Sequence, residues 1–395
     1  MTMLNLIEPQ TGFSQPAVPA HPARRRAPDG LTAHEHLGFE LGWDYAHHRV
    51  TPPAPYPQEP SPLRNGLLAG QAAFGTRTLA ATRHVRKWLQ LRLHAWLRGR
   101  SVELVQVTPN YLQQIDVSHC PITRVALSSA LLSASDASVD RVRNDAGYAA
   151  GNLAVMSTKA NHAKAAHGFR DALQCIQKIE AGQPPGLAAD KARELHGLTA
   201  EAPRDLHGLT AEQWARVAVL CSFLEALPHD EACALPLLVL PPNRLRLFNP
   251  VQALQAFVSQ QLLRPGWSRR ISGFEDLLPG KPLKRDFKSF FMALLPRVIE
   301  AGLSGGGLQA RWAVEDAWRS ALVQQRWARF ARQLSAAQCE ALLASAAAHR
   351  LTTTVVVPLC DDAATDGWNL ASRGYVPHAP LTDRRQAEAQ RQLGW

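Results

Sequence analysis

Residues 140–164 read DRVRNDAGYAAGNLAVMSTKANHAK, and this stretch decides the fold. The pattern predicts a short strand that ends near Asp140, a loop with two glycines, a second strand over residues 153–156, and then a helix. A hairpin that folds onto a helix brings polar residues from separate parts of the sequence together. We therefore expect Asp140, Asn152 and Asn161 to converge on one site.

The order of these residues resembles a nuclease family. Over residues 119–167 the chain is similar to the ββα-metal (HNH-type) endonucleases, in the variant whose first strand ends in Asp-Arg-hydrophobic. The resemblance implies a small ββα core, HNH-like, inside a chain that is otherwise mainly α. The positions that match are Cys120 to Thr123, Asp140-Arg141-Val142, Gly147-Tyr148, Gly151-Asn152, and Asn161 with Lys164.

The resemblance also implies a catalytic site made of Asp140, Arg141, Asn152 and Asn161. Asp140 and Asn161 would be the ligands of one divalent cation, Mg²⁺ or Mn²⁺, because a hard cation prefers oxygen ligands and keeps several waters. That cation would polarise the phosphodiester and stabilise the leaving oxygen. Asn152 would hold the loop between the two strands.

Arg141 is the position at which the chain departs from the usual pattern. The family places a histidine there as general base, and arginine keeps its proton under any biological condition, so Arg141 cannot fill that role. Two interpretations stay open. Either His119, His162 or His167 activates the water, or the site binds nucleic acid without cutting it. In both cases Arg141 would contact a phosphate.

The charge of the chain agrees with a nucleic-acid partner, most simply DNA. The sequence has 43 Lys and Arg against 33 Asp and Glu, a net charge of +10, which favours a phosphate-bearing partner. Genomic base composition also produces arginine-rich proteins, so the charge counts only together with the motif. The candidate nucleic-acid-binding residues come from the motif and from one basic helix predicted over residues 70–100: Arg86, Lys87, Arg141, Arg143, Lys159 and Lys164.

The rest of the chain predicts helical regions on both sides of this core. The expected segments are a disordered basic, Pro-rich tail (1–30), an N-terminal helical region (31–104), the HNH-like domain (105–181), a linker (182–209) and a C-terminal helical domain (210–395). The linker contains a duplication of LHGLTAE, at 195–201 and 206–212.

Three local patterns in the second half of the chain give further expectations. Thr210 with Gln213 three residues later predicts the N-terminus of a helix. The β-branched run at 352–357 predicts a strand. The aromatic residues expected to form the core of this half are Trp312, Trp318, Trp327 and Phe330.

Cysteine usage and hydropathy limit the class of protein. Six cysteines occur without any C-x-x-C pair, so neither a disulfide framework nor a zinc site is indicated. The first thirty residues lack the apolar run of a signal peptide, and no window approaches ~18 uncharged apolar residues. These observations predict a cytoplasmic protein that does not enter a membrane.

Three functions are compatible with the sequence. The first is a metal-dependent endonuclease that hydrolyses phosphodiester bonds, most simply in DNA. The second is a catalytically inactive protein that keeps the HNH-like fold to bind nucleic acid, with affinity that falls as salt rises. The third is a helical interaction protein, which would expose aromatic patches in its Trp-rich C-terminal half.

Overall fold

Helices make up most of the described chain in the computed structural model. The structure describes residues 31–129, 131–181, 205–303, 306–351 and 365–376. The predicted tail, the first LHGLTAE copy and the predicted strand at 352–357 lie outside these residues. The helices of the N-terminal half are α1 (Ala33–His47), α2 (Pro62–Phe74), α3 (Arg83–Leu97), α4 (Pro109–Ile115), α5 (Thr158–Lys164) and α6 (Phe169–Ala181).

The C-terminal half continues with further helices, so the prediction of a mainly α protein is confirmed. Two small antiparallel sheets are present in the described residues, formed by β1 (Ala137–Arg141) with β2 (Leu153–Ser157) and by β3 (Asp205–Leu206) with β4 (Leu209–Thr210). The helices of this half are α7 (Ala211–Ser222), α8 (His229–Ala234), α9 (Pro250–Gln261), α10 (Trp267–Leu277), α11 (Lys281–Glu300), α12 (Gly307–Ala317), α13 (Ala321–Ala331) and α14 (Ala336–Ala348).

The basic helix predicted over residues 70–100 is two helices, and the prediction of a single helix is wrong. α2 ends at Phe74 because Gly75 has a φ of 54°, a left-handed conformation that glycine adopts without steric cost. α3 begins after Thr82, whose hydroxyl accepts a hydrogen bond from the Val85 amide. Arg86 and Lys87 therefore lie in the first turns of a separate helix.

The hairpin β1–β2 lies between two hydrophobic cores. β1 and β2 pair in register, with Asp140 opposite Ala154 and Arg141 opposite Leu153. All five residues of β2 are buried, since one face packs against α1–α4 and the other against the C-terminal helices. A strand covered on both faces carries no polar alternation, which explains the apolar sequence of β2.

The C-terminal helices share one hydrophobic core with one face of the hairpin strand β2. Trp318, Trp327 and Phe330 are fully buried, as expected. Trp312 is only partly buried, and its ring meets that of His119 edge-on at 5.7 Å. No aromatic side chain is among the exposed large hydrophobic residues of the described part of 205–351.

The N-terminus of α7 is as predicted. Thr210 accepts a hydrogen bond from the Gln213 amide, and the Gln213 side chain accepts one from the Thr210 amide, which is the reciprocal capping box. Across the described ranges, none of the helices is long and apolar enough to cross a membrane.

His94, on α3, makes the stability of the N-terminal core depend on pH. Burial, with the positive charges of Arg98 and Lys87, lowers the pKa of His94 from 6.5 to about 4. The imidazole of His94 therefore binds a proton more tightly in the unfolded chain than in the folded one. The free energy of unfolding is highest above pH 6.5, where His94 is neutral in both states, and it falls as the pH drops towards 4.

We expect this effect to remove about 3 kcal/mol of unfolding free energy between those limits. Urea unfolding at neutral pH and near pH 4 measures it. In His94→Gln, whose amide does not titrate, the difference in unfolding free energy between the two pH values should be smaller. An unchanged pH dependence in that variant would show that His94 is not its source.

Candidate functional site

The candidate site lies where α5 packs against one face of β1. Side chains alternate across a strand, so Ser138 and Asp140 face α5, whereas Arg141 faces the opposite side. Asn161 and Lys164 are about one helical turn apart on α5. Asn161 contacts Ser138, and Lys164 contacts Asp140. Asn161 Nδ2 donates to Ser138 Oγ at 2.7 Å, and Lys164 Nζ lies 3.0 Å from Asp140 Oδ2.

The approach of α5 to the hairpin is fixed by a turn far upstream. Ser157 ends β2, and its hydroxyl accepts a hydrogen bond from the Ala160 amide at the start of α5. The same hydroxyl donates to Cys120 Sγ at 3.4 Å, and the Thr123 amide donates to that sulfur. The turn from Cys120 to Thr123 thus clamps the junction between strand and helix.

Asp140 and Lys164 form a buried ion pair. Asp140 is 5% exposed and Lys164 is 0% exposed. Lys164 Nζ also donates to the Arg141 carbonyl at 3.2 Å. Burial raises the pKa of the Asp140 carboxyl, and the ammonium of Lys164 opposes this change. Asp140 Oδ2 accepts no well-oriented hydrogen bond in the described part of the chain, so the ammonium compensates its charge.

This arrangement does not fit the metal that the resemblance implies. A magnesium ion needs octahedral oxygen ligands at about 2.0–2.1 Å and room for its waters. The ammonium of Lys164 takes the place beside the buried Asp140 carboxylate that a cation would need, whereas the contact of Asn161 with Ser138 uses Nδ2 and not the amide oxygen. Within the residues that the structure describes, no group of three or more His, Cys, Asp or Glu side chains could hold a metal ion.

Arg141 holds the loop that joins the two strands. Its Nη1 donates to the carbonyl oxygens of Asn144 at 3.1 Å and Ala146 at 2.9 Å. Its guanidinium carbon lies 5.2 Å from the centre of the Tyr148 ring. These contacts give Arg141 a structural role, since it holds the loop on the face of the hairpin opposite to Asp140.

Asn152 closes the same loop from inside. Its side chain is fully buried and accepts from the Arg143 amide at 2.9 Å. It donates to the carbonyls of Arg143 at 3.1 Å and Gly147 at 3.0 Å. Gly151, just before it, has a φ of 87°, and a Cβ there would lie 2.3 Å from Arg246 Cγ. Asn152 thus stabilises the loop and is out of reach of solvent.

The three histidines considered as alternative bases lie in different surroundings. His119 Nδ1 bonds Ser118 Oγ at 3.0 Å, and its ring packs on Trp312. His167 Nδ1 lies 2.9 Å from the Lys164 carbonyl, and its ring packs on Trp214. His162 is exposed on α5. None of the contacts described for His119 and His167 involves Asp140.

Of the six predicted nucleic-acid-binding residues, four are engaged with protein groups. Lys164 is fully buried, so it is not placed to meet a phosphate. Lys87 Nζ donates to the Ala137 carbonyl at 2.6 Å, and burial lowers its pKa. Arg143 forms two hydrogen bonds with Asp145, at 2.7 and 2.8 Å, and Arg141 holds the loop. Arg86 and Lys159 are exposed.

A segment from the far end of the chain covers the hairpin loop, and sequence reasoning missed it. Trp368 is fully buried, stacks on Phe248 at 5.5 Å and donates from Nε1 to the Ala150 carbonyl at 3.0 Å. Its own carbonyl accepts from the Gly147 amide at 2.8 Å. A Cβ at Gly374 would lie 2.4 Å from the Ala146 carbonyl carbon, so only glycine fits there. No local pattern in residues 365–376 indicates this docking.

The site is therefore a strand, a loop and a helix held by a buried ion pair and covered by a distant segment. β2 and α5 lie within one residue of their predicted positions. Comparison of the chain with protein-family models, with curated proteins and with solved structures finds no match.

Proposed function

We propose that the protein binds nucleic acid through its HNH-like ββα unit and does not cut it. The observation that carries this proposal is the position of Lys164. Its ammonium is buried against Asp140, the carboxylate that the resemblance assigns to a metal ion. A cation that belongs to the chain itself neutralises Asp140, so the unit is complete without Mg²⁺ or Mn²⁺.

The charge of the molecule supports a phosphate-bearing partner. The net charge is +10, and Arg86 on α3 and Lys159 on α5 face solvent on the two helices that flank the hairpin. Contacts between such residues and phosphates release counterions, so the logarithm of the binding constant falls linearly with the logarithm of the salt concentration.

Binding to DNA in a salt series tests the proposal. We expect affinity for a labelled oligonucleotide to fall with salt, with a slope that counts the phosphate contacts, and to be the same with EDTA and with Mg²⁺ at matched ionic strength. Supercoiled plasmid incubated with Mg²⁺ or Mn²⁺ should stay intact. Absence of binding at low salt, or loss of binding on chelation, would contradict the proposal.

A metal-dependent endonuclease is the second candidate. It is favoured by Asp140 Oδ2, which accepts no well-oriented hydrogen bond in the described chain, and by Asn161, one turn before Lys164 on the same face of α5. Nicking of plasmid by the wild type with Mg²⁺ or Mn²⁺, abolished in Asp140→Ala, would establish this candidate and remove the first. Such an enzyme would have to displace Lys164 from the carboxylate.

A further inference from the structure

Residues 99–103 lie beside the hairpin loop and are hydrogen-bonded to other segments on two sides. On one side, the Ser101 amide donates to the Gly374 carbonyl at 2.9 Å and the Val376 amide donates to the Gly99 carbonyl at 2.8 Å. On the other side, the Tyr148 amide donates to the Ser101 carbonyl at 2.9 Å. The C-terminal segment is thus joined edge to edge with the loop.

Isolated bridges join residues 99–103 to the C-terminal segment and to the hairpin loop. Arg100 pairs with Tyr375 and Val102 pairs with Tyr148. Directly paired residues share a face, so the side chains of Arg100 and Tyr375 lie together, whereas Tyr148 is buried in the N-terminal core. Arg141 contacts Tyr148.

Each guanidinium in this group rests on an aromatic ring. The guanidinium carbon of Arg100 lies 3.7 Å from the centre of the Tyr375 ring, and its Nη1 donates to the Arg373 carbonyl at 2.9 Å. Arg141 lies over Tyr148 in the same way, at 5.2 Å. Arg373 and Tyr375 are exposed. We call Arg100, Arg141, Tyr148, Arg373 and Tyr375 the arginine–tyrosine cluster.

In the described part of the chain Arg100 contacts a carbonyl and a tyrosine ring and forms no ion pair, whereas Arg141 interacts with the carboxylates of Asp140 and Asp145. Asp145 is bound by Arg143 through both of its oxygens. Glu103 accepts hydrogen bonds from the amides of Val105 and Gln106. Burial, followed by the positive charge of Arg141, lowers the pKa of the Arg100 guanidinium, and Tyr375 and Tyr148 oppose this change. The positive charges of Arg100 and Arg141 repel each other, and an anion beside Arg100 would relieve that repulsion.

We propose that the arginine–tyrosine cluster binds the phosphate backbone of a single nucleic-acid strand, with Arg100 on phosphate and the exposed Tyr375 beside a base. Guanidinium groups bind phosphate in a forked geometry, and aromatic rings accept any base by stacking. The inference rests on the proposed function and identifies where the strand lies. It also gives residues 365–376 a role, since they supply two of the five cluster residues.

Arg100→Gln and Arg373→Gln test the cluster. Arg285→Gln is the matched control, because it removes the same charge from an exposed side chain of α11 outside the cluster. With a labelled oligothymidine followed by fluorescence anisotropy, each cluster variant should bind roughly tenfold more weakly and lower the salt slope by about one. The control should stay close to the wild type. Arg100→Lys should recover part of the loss, since it restores the charge without the fork.

The outcomes separate the two proposals. If the wild type binds and both cluster variants match Arg285→Gln, the cluster is not the binding surface, while the proposed function stands. If the wild type binds no nucleic acid, both proposals fall. Displacement of the oligonucleotide by inorganic phosphate at constant ionic strength would indicate a pocket for a single phosphate and would overturn the strand assignment. Arg373→Gln alters only an exposed side chain, so it decides the matter even if Arg100→Gln unfolds.

Discussion

Replacing Lys164 by methionine should lower the free energy of unfolding by about 3–5 kcal/mol. The substitution keeps an unbranched side chain of similar size and removes the ammonium group, which leaves the Asp140 carboxylate buried without its cation and the Arg141 carbonyl without its donor. Equilibrium unfolding in urea measures the loss. Part of it should return in the double variant Asp140→Asn with Lys164→Met, because a buried neutral pair carries no uncompensated charge.

Lys288→Met is the matched control for this experiment. Lys288 also pairs with a carboxylate at 3.0 Å, that of Glu275, but its side chain is 68% exposed. Exposed pairs contribute roughly 0–1 kcal/mol, so this variant should unfold almost like the wild type. Equal losses of unfolding free energy in the two variants would show that burial does not make the Asp140–Lys164 pair more important for stability than an exposed pair.

The Lys164→Met defect should also depend on pH. Burial already raises the pKa of Asp140, and removing the ammonium raises it further, since Lys164 lowers it in the wild type. A carboxyl whose folded-state pKa is raised destabilises the fold when it is ionised, so the defect is full at high pH and shrinks as the pH falls through the folded-state pKa. A defect that is constant with pH would reflect lost packing only.

Replacing Trp368 by alanine should cost about 3–5 kcal/mol and release residues 365–376 from the loop. The indole is fully buried, stacks on Phe248 and bonds the Ala150 carbonyl. Without it, Arg100 loses the partners that this segment supplies, Tyr375 and the Arg373 carbonyl. We expect protease cleavage within the segment and nucleic-acid affinity as low as that of Arg100→Gln.

Trp327→Ala is the control that distinguishes general loss of stability from release of residues 365–376. Trp327 is 1% exposed in the C-terminal core and packs on Phe290 and Trp318, so its loss should destabilise the chain to a similar extent. At a temperature where both variants are folded, Trp327→Ala should bind nucleic acid like the wild type. If both variants bind equally well, the docked segment does not contribute to the surface.

Sequence alone predicted the elements whose signals are local. The capping box of Thr210 and Gln213 specifies a helix start by itself, because both hydrogen bonds join residues three apart. The positions of β2 and α5 followed from an apolar run and a serine that precedes a helical segment. Ser157 indeed caps α5 with its hydroxyl.

The candidate site was harder to predict, because its properties depend on packing. Asp140 and Lys164 are 24 residues apart in sequence, and only the approach of α5 to β1 makes Lys164 the counter-ion and not a phosphate ligand. The tyrosine partner of Arg100 comes from an even more distant segment. A pattern of residue types at short spacing contains no information about either contact.

The docking of residues 365–376 also has a consequence for protein synthesis. Arg100 and Arg373 are 273 residues apart, yet they are hydrogen-bonded neighbours in the folded chain. At a translation rate of about 5–20 residues per second, the ribosome needs roughly 15–55 s to make the intervening chain. Residues 142–152 therefore stay uncovered for that time, and a chain released before Thr365 would lack Arg373 and Tyr375 of the arginine–tyrosine cluster.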